Sequence, residues 1–172
     1  MFREALSCKQ EAELGVMFQH KAKWSCHFDD DSFVNYENLR KVLASYDESK
    51  LKYLGRKSTQ HPVSIETDGA KRKFYFGTGG AGWCVSRPLL LQMERILMEK
   101  SFTSISSSIG LPDDVTIGFI IDQLVGVELN NETKFNSHLN HLASIDPQRQ
   151  VRLFYISRNS LSLGKFTQDT KI

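Results

Sequence analysis

Helix-like and strand-like stretches alternate along the whole of this 172-residue sequence. The helical stretches repeat apolar residues every three or four positions, whereas the strand-like ones are short and apolar or alternate in polarity. We predict helices over 4–20, from the N-cap Asn35, from the N-cap Ser86 and from Pro112 to Gly126, strands over 24–28, 51–54, 73–76, 127–129 and 151–156, and a weaker strand near Leu161. Residues 56–72 and 99–110 are polar or serine-rich and predict loops. With no internal repeat and no linker, this order predicts one α/β domain over 1–172.

The composition is that of an ordinary globular protein. Hydrophobic residues make up 40% and charged residues 24% of the chain, and the net charge is only +2. These values argue against disorder and against a nucleic-acid partner. The longest apolar run is far shorter than the ~18 residues of a membrane span, and the start of the chain lacks the pattern of a signal peptide. The composition therefore predicts a globular domain without a transmembrane segment.

Three adjacent aspartates, Asp29, Asp30 and Asp31, directly follow the first predicted strand. Carboxylates this close raise one another's pKa unless a cation lies among them. A solvated acidic turn is one interpretation, and a calcium loop is a second, although Phe33 stands at the third ligand position of the EF-hand pattern. The third is a divalent-metal site for a diphosphate, because Mg²⁺ and Mn²⁺ combine one or two carboxylates with phosphate oxygens. The end of a strand is where α/β sheets place such sites.

A glycine-rich segment, Gly79, Gly80, Ala81 and Gly82, separates a predicted strand from a predicted helix. It lacks the Lys-Ser/Thr pair of a P-loop and the Gly-x-Gly-x-x-Gly spacing of a dinucleotide site. By itself it indicates a tight turn, or a backbone that must pass close to another group.

The second half of the chain holds two further candidates. Asp113 and Asp114 follow a proline and precede a helix, so either one is a candidate N-cap, although the pair carries a like-charge cost. His138 is a single histidine, and such residues are more often structural than ligands. Spacing alone assigns a role to neither.

The three cysteines, Cys8, Cys26 and Cys84, leave the compartment open. In the cytosol they would be unremarkable thiols, whereas in the secretory pathway an odd number leaves one without a partner. The triplet Asn131-Glu132-Thr133 is an N-glycosylation sequon, a pattern that also arises by chance.

Four segments together resemble the Fringe glycosyltransferases in order and separation. They are HFDDD (27–31), GGAGWC (79–84), LPDDVTIG (111–118) and FNSHL (135–139). The resemblance extends over about 5–142 and implies a GT-A fold, with a mixed sheet flanked by helices. It also implies a Golgi enzyme that transfers N-acetylglucosamine from UDP-GlcNAc to O-linked fucose on epidermal-growth-factor-like (EGF-like) repeats, notably of Notch. That reaction is inverting, depends on Mn²⁺ and forms a β1,3 bond.

The resemblance assigns roles to individual residues. Asp31 and His138 match the Mn²⁺ ligands, with Asp31 as the last residue of the family's DxD motif, and Asp114 matches the catalytic base. The donor-binding positions are Asp29, Asp30, Gly79, Gly80, Ala81 and Gly82. Cys26 and Cys84 match two cysteines that form a disulfide in the family. Cys8 matches a cysteine whose partner lies upstream of the start of this chain, so we expect it to be unpaired.

The sequence also departs from the family pattern. Asn136 replaces the first histidine of a His-Ser-His motif, and residues after Val151 follow the pattern poorly. The family's uridine-binding half, membrane anchor and cysteine-containing tail have no counterpart here, so we expect a fragment or a shortened gene product.

Two other readings of the function therefore stay open. One is a related β1,3-glycosyltransferase with another donor or acceptor, although such enzymes commonly carry Glu-Asp-Val where this chain has Asp113, Asp114 and Val115. The other is a non-catalytic remnant that still binds Mn²⁺ or a protein partner. Titration with UDP and Mn²⁺ distinguishes an enzyme from such a remnant.

Overall fold

A mixed four-stranded sheet lies at the centre of the computed structural model, which describes residues 2–30, 32–67, 69–136 and 151–153. The helices are α1 (Phe2–Gln19), α2 (Tyr36–Leu43), α3 (Arg87–Glu99), α4 (Phe102–Ile109) and α5 (Asp113–Phe119). The strands are β1 (Trp24–His27), β2 (Phe33–Val34), β3 (Tyr53–Gly55), β4 (Val63–Thr67), β5 (Ala70–Phe74), β6 (Trp83–Ser86), β7 (Leu129–Asn131) and β8 (Arg152–Leu153). A π-helical turn, Ile120–Val125, extends α5.

The direction of the strands brings several loops to one end of the sheet. The strand order is β1-β6-β3-β7, with β6 antiparallel to β1 and β3, and β7 parallel to β3. Strands β1, β3 and β7 therefore finish where β6 starts. We call this the carboxyl end of the sheet; it is marked by His27, Gly55, Asn131 and Trp83.

Helices cover both faces of this sheet. Because successive strand residues point to opposite faces, Tyr53 packs with α1, α3, α4 and α5, while its neighbour Leu54 packs with α2. On β6, Trp83 packs on the same face as Tyr53, and Cys84 packs on the same face as Leu54. All four of these side chains are fully buried. The predicted mixed sheet flanked by helices is confirmed.

The predicted helix starts are confirmed, but one cap works differently. The Oδ1 atom of Asn35 accepts a hydrogen bond from the Asn38 N–H at 3.1 Å, as an N-cap should. Ser86 also precedes a helix, α3, but its hydroxyl donates to the Lys50 carbonyl at 2.6 Å and accepts from the Lys52 N–H at 3.0 Å. Ser86 therefore fixes the start of β3 rather than capping α3.

The loop predicted over 56–72 is wrong in part, because β4 and β5 form an antiparallel hairpin there. Val63 and Ile65 are half-buried while Ser64 and Glu66 are exposed, which is a strand alternation hidden among polar residues. The strand predicted over 73–76 is the end of this hairpin, since β5 finishes at Phe74.

The serine-rich loop predicted over 99–110 is also wrong, because these residues form helix α4. Ser101 caps it by accepting from the Ser104 N–H at 3.2 Å, and Gly110 ends it at a φ of +65°. Phe102 and Ile105 are buried, and Ser106 bonds to Ser7 of α1 at 2.8 Å. The small serine side chains thus let α1 and α4 pack closely.

The remaining predictions fall on the end of the chain or concern a membrane. Only Arg152–Leu153 of the strand predicted over 151–156 is described as a strand, and Leu161 lies outside the described residues.

The sequence patterns did not predict strand β6, because its four residues run directly into α3. Within the described ranges, the helices are too short or too polar to cross a membrane.

Candidate active site

The described residues of the aspartate loop, as we call Asp29, Asp30 and Asp31, lie beside the glycine segment (79–82) at the carboxyl end of the sheet. Cys26 of β1 pairs with Cys84 of β6, and His27 pairs with Trp83. The chain therefore leaves β1 toward Asp29 at the same place where it enters β6 from Gly82. A disulfide joins Cys26 to Cys84, as the resemblance implies, whereas Cys8 is exposed and free among the cysteines. The covalent link fixes the two loops next to each other.

Gly82 allows the closest approach between these loops. Its φ is +81°, and a Cβ added to it would lie 2.3 Å from the Phe28 ring and 2.8 Å from the His27 carbonyl oxygen. A side chain at 82 would therefore collide with the segment that leads into the aspartates. The fold itself thus explains one glycine of the segment, and the sugar contact expected of Gly79, Gly80, Ala81 and Gly82 stays a prediction.

Asp114 connects the first turn of α5 to the glycine segment. Its Oδ2 atom accepts a hydrogen bond from the Gly79 N–H at 3.2 Å, and its Oδ1 atom accepts from the Val115 N–H at 2.8 Å. Pro112 occupies the N-cap position, so the interpretation of Asp113 or Asp114 as an N-cap is wrong. The pair stands inside the helix, where its N-terminal dipole favours negative charge.

The environment of Asp114 suits a general base. Burial raises the pKa of this carboxyl; the Gly79 N–H opposes the rise and the charge of Asp113 adds to it. A carboxylate with a raised pKa binds a proton more readily at neutral pH, which is what general-base catalysis requires.

His27 supplies a positive charge beside the aspartate loop. Its Nδ1 lies 2.8 Å from Glu13 Oε2 on α1, its Nε2 lies 3.4 Å from Asp29 Oδ1, and its ring stacks on Trp83. Burial lowers the pKa of His27, but hydrogen bonds and charges from Asp29 and Glu13 outweigh it and raise the pKa to about 9. Sequence reasoning missed this link, because Glu13 is one of several acidic residues on α1.

The second aspartate is paired differently. Asp30 lies 3.6 Å from the Nζ of Lys9, another residue of α1, and both side chains are well exposed. An exposed pair of this kind contributes about 1 kcal/mol at most. Asp29 and Asp30 therefore each have a cation nearby, which reduces the like-charge repulsion within the triplet.

The two predicted metal ligands, Asp31 and His138, lie outside the described residues. Within the part of the chain that is described, no three His, Cys, Asp or Glu side chains are grouped as a metal site. Each predicted ligand does follow a described phenylalanine by three positions. Phe28 and Phe135 stack with ring centroids 6.0 Å apart and planes inclined by 8°. The chain therefore enters both ligand segments from neighbouring points.

Asn136, which stands where the family has histidine, anchors the segment before His138. Its Oδ1 accepts a hydrogen bond from Nη1 of Arg56 at 2.7 Å, and its Nδ2 donates to the Lys134 carbonyl at 3.3 Å. The same guanidinium nitrogen donates to the Thr133 carbonyl at 3.0 Å. Asn136 is only 2% exposed, so this departure from the family pattern has a structural role that the sequence did not reveal.

Comparison with known proteins gives consistent results. The Fringe-like family model matches residues 1–172. The chain is 41% identical over 174 aligned residues to the beta-1,3-N-acetylglucosaminyltransferase radical fringe of Notophthalmus viridescens, covering 94% of this chain. It is 46% identical to the Fringe glycosyltransferase of Drosophila melanogaster over 80% of this chain, and 39% identical to the lunatic fringe enzyme of Gallus gallus over 96%.

These alignments cover 44%, 35% and 49% of the newt, fly and chicken proteins, so the chain spans less than half the length of each. The family model, by contrast, matches the whole chain, and the identity exceeds a third in every one of these comparisons. The described residues of the motifs that carry the resemblance meet at one end of the sheet, so sequence and geometry point the same way. This chain belongs to the Fringe-like family.

Proposed function

We propose that this chain acts in the transfer of N-acetylglucosamine from UDP-GlcNAc to O-linked fucose on EGF-like repeats, as a β1,3-transferase with the GT-A fold. The observation that carries the proposal is the bond from the Gly79 N–H to the half-buried carboxylate of Asp114. It joins a candidate base to a segment that the disulfide holds beside the aspartate loop. The relatives named as N-acetylglucosaminyltransferases support the same donor sugar.

Asp31 and His138 would hold a divalent metal ion in this proposal. One carboxylate and one imidazole, with phosphate oxygens and water in the other positions, form a donor set that suits Mn²⁺. The stacking of Phe28 on Phe135 supports the pairing, because these neighbouring rings each stand three positions before one of the two proposed ligands. A bound metal ion would neutralise the negative charge that develops on the diphosphate leaving group.

Asp114 would act on the acceptor. The 3-hydroxyl oxygen of fucose forms a bond to the anomeric carbon of the donor sugar as the bond from that carbon to the UDP oxygen breaks. The hydroxyl proton goes to the Asp114 carboxylate. The backbone N–H groups of Gly79 and Val115 hold that carboxylate in place, and a well-placed base accelerates such a step by about 10²- to 10⁴-fold.

A lumenal location, in the Golgi, fits this role. The Cys26–Cys84 disulfide supports it independently of the family, because disulfides persist in oxidising compartments and are rare in the cytosol.

A transfer assay tests the proposal directly. The disulfide-bonded chain is incubated with UDP-GlcNAc, Mn²⁺ and an EGF-like repeat that carries O-fucose, with the unfucosylated repeat as the matched control. We expect the fucosylated repeat alone to gain one N-acetylhexosamine, in β1,3 linkage by NMR. Preference for another sugar nucleotide or acceptor would instead identify a related β1,3-glycosyltransferase. Absence of both transfer and UDP binding would support the non-catalytic reading.

A further inference from the structure

Asn131 begins the only Asn-x-Ser/Thr triplet in the sequence. It is the last residue of β7, which is an outer strand of the four-stranded sheet as described, and its side chain is exposed. Thr133, the third residue of the triplet, is exposed as well. Both side chains that define the triplet are therefore at the surface.

One hydrogen bond fixes the orientation of the Asn131 amide. Its Oδ1 accepts from the backbone N–H of Lys57 at 3.0 Å. Because an N–H can only donate, the oxygen rather than the nitrogen of the amide must face Lys57. The two groups lie on opposite sides of the amide carbon, so Nδ2 points away from the backbone of Lys57. Among the described residues, Nδ2 donates no hydrogen bond.

This arrangement is compatible with a glycan on Nδ2. An N-linked sugar replaces one hydrogen of Nδ2 and leaves Oδ1 as a carbonyl acceptor, so the bond from Lys57 would persist after modification. In Thr133, likewise, the backbone carbonyl accepts a hydrogen bond from Arg56, while the side chain remains exposed. The hydrogen bonds of the fold therefore use Asn131 Oδ1 and the Thr133 carbonyl, and attachment of a glycan changes neither atom.

We propose that Asn131 carries an N-linked glycan. The donor is a lipid-diphosphate-linked oligosaccharide, and the bond between its anomeric carbon and the diphosphate oxygen breaks as the bond to Nδ2 forms. Nδ2 releases one proton and the lipid diphosphate departs. The inference rests on the lumenal location in the proposed function, for which the Cys26–Cys84 disulfide gives separate support. The glycan would stand at the carboxyl end of the sheet, at the strand beside β3.

The test uses the full 172-residue chain secreted from eukaryotic cells behind a cleavable signal sequence. Peptide N-glycosidase should remove a mass of oligosaccharide size and convert Asn131 to aspartate in the peptide map. Thr133→Ala should abolish the mass shift and Thr133→Ser should retain it, and neither touches the carbonyl that Arg56 uses. Asn130→Gln, next to the site but outside the triplet, should leave the modification in place.

The outcomes separate this inference from the proposed function. Secreted protein that contains the Cys26–Cys84 disulfide but no glycan at Asn131 would overturn the inference and leave the transferase proposal standing. A glycan at Asn131 in a chain that neither transfers sugar nor binds UDP would support the inference and refute the transferase. A glycan that persists in Thr133→Ala would show that Asn131 is not its attachment site.

Discussion

The ring of Phe28 stacks on the ring of Phe135, with centroids 6.0 Å apart. Phe28 follows β1 and Phe135 follows β7, so the contact spans the sheet and joins the chain just before the aspartate loop to the chain just before His138. Phe135 is fully buried in the cluster on the α2 side of the sheet. The stack therefore joins the two described points of the chain that stand three positions before the proposed metal ligands.

Replacing Phe135 should weaken metal binding as well as the fold. We expect Phe135→Leu to cost about 1 to 2 kcal/mol of unfolding free energy, since it retains apolar volume but loses the ring pair. Mn²⁺ affinity, measured by titration calorimetry or electron paramagnetic resonance, should fall. Phe119→Leu is the matched control, because Phe119 is 5% exposed and pairs with Phe74 in the other cluster. Equal Mn²⁺ affinity in both folded variants would contradict a role for the stack.

Gly82→Ala should be more destabilising than other glycine substitutions. At φ +81° and ψ 163°, Gly82 lies in a backbone region that is essentially restricted to glycine and costs another residue about 1 to 3 kcal/mol, and the collision with Phe28 adds about 1 to 3 kcal/mol. Gly126 has nearly the same φ, +82°, but its ψ of 31° is that of the left-handed helical conformation, and nothing lies within 4 Å of an added Cβ. Urea unfolding of Gly82→Ala and Gly126→Ala therefore compares a crowded glycine in a glycine-only conformation with an uncrowded left-handed one. Equal losses would show that the loops do not pack as described.

The disulfide should contribute substantially to stability. Its cysteines are 58 positions apart, and in the chain-entropy model closing such a loop is worth about 4 kcal/mol. We expect a Cys26→Ser/Cys84→Ala double variant to lose a comparable free energy of unfolding, whereas Cys8→Ser should lose almost none. Non-reducing peptide mapping should recover a Cys26–Cys84 peptide and an alkylated Cys8. Alkylation of all three thiols without reductant would contradict both the bridge and the lumenal location.

The link through His27 should make stability depend on pH. Because its pKa rises from 6.5 to about 9 on folding, protonated His27 stabilises the native state fully below pH 6.5, and this contribution is lost as the pH rises through 9. At ~1.4 kcal/mol per pKa unit, the loss is at most about 3 kcal/mol, because Asp29 is partly exposed to solvent.

The measurement compares His27→Gln with the wild-type chain between pH 6 and pH 10. The stability difference between the two should shrink across this window. His61→Gln changes an exposed histidine and is the control. A difference that stays constant with pH would show that His27 is not charged between Glu13 and Asp29.

Sequence patterns predicted features whose cause is local. Asn35 caps α2 with its own side chain, and Gly126 ends the turn after α5 in the left-handed conformation. Both depend on residues within a few positions, which a single sequence displays. The apolar face of α3, with Leu89, Leu90 and Met93 buried, is equally visible from its spacing.

Features that depend on distant partners were missed or misassigned. Helix α4 has a low density of large apolar residues and is stabilised by packing against α1, including the bond from Ser106 to Ser7. Arg56 and Asn136 are 80 positions apart and meet only because β3 and β7 are neighbours. Within the candidate site, the motifs identified Asp114, but the contact with Gly79 required the fold.

The kinetics of Asp114→Asn test the central claim most directly, with Asp113→Asn as the neighbouring control. In Asp114 the N–H groups of Gly79 and Val115 donate to different oxygens, so asparagine keeps an acceptor for one of them and loses the other bond, and it cannot accept the acceptor's proton. We predict that Asp114→Asn stays folded and binds UDP with Mn²⁺ as the wild-type chain does, while turnover on the O-fucosylated repeat falls about 10²-fold or more. Asp113→Asn should keep turnover within a few-fold. Undiminished turnover in Asp114→Asn, or a parallel loss of UDP affinity, would contradict the assignment of Asp114 as the base.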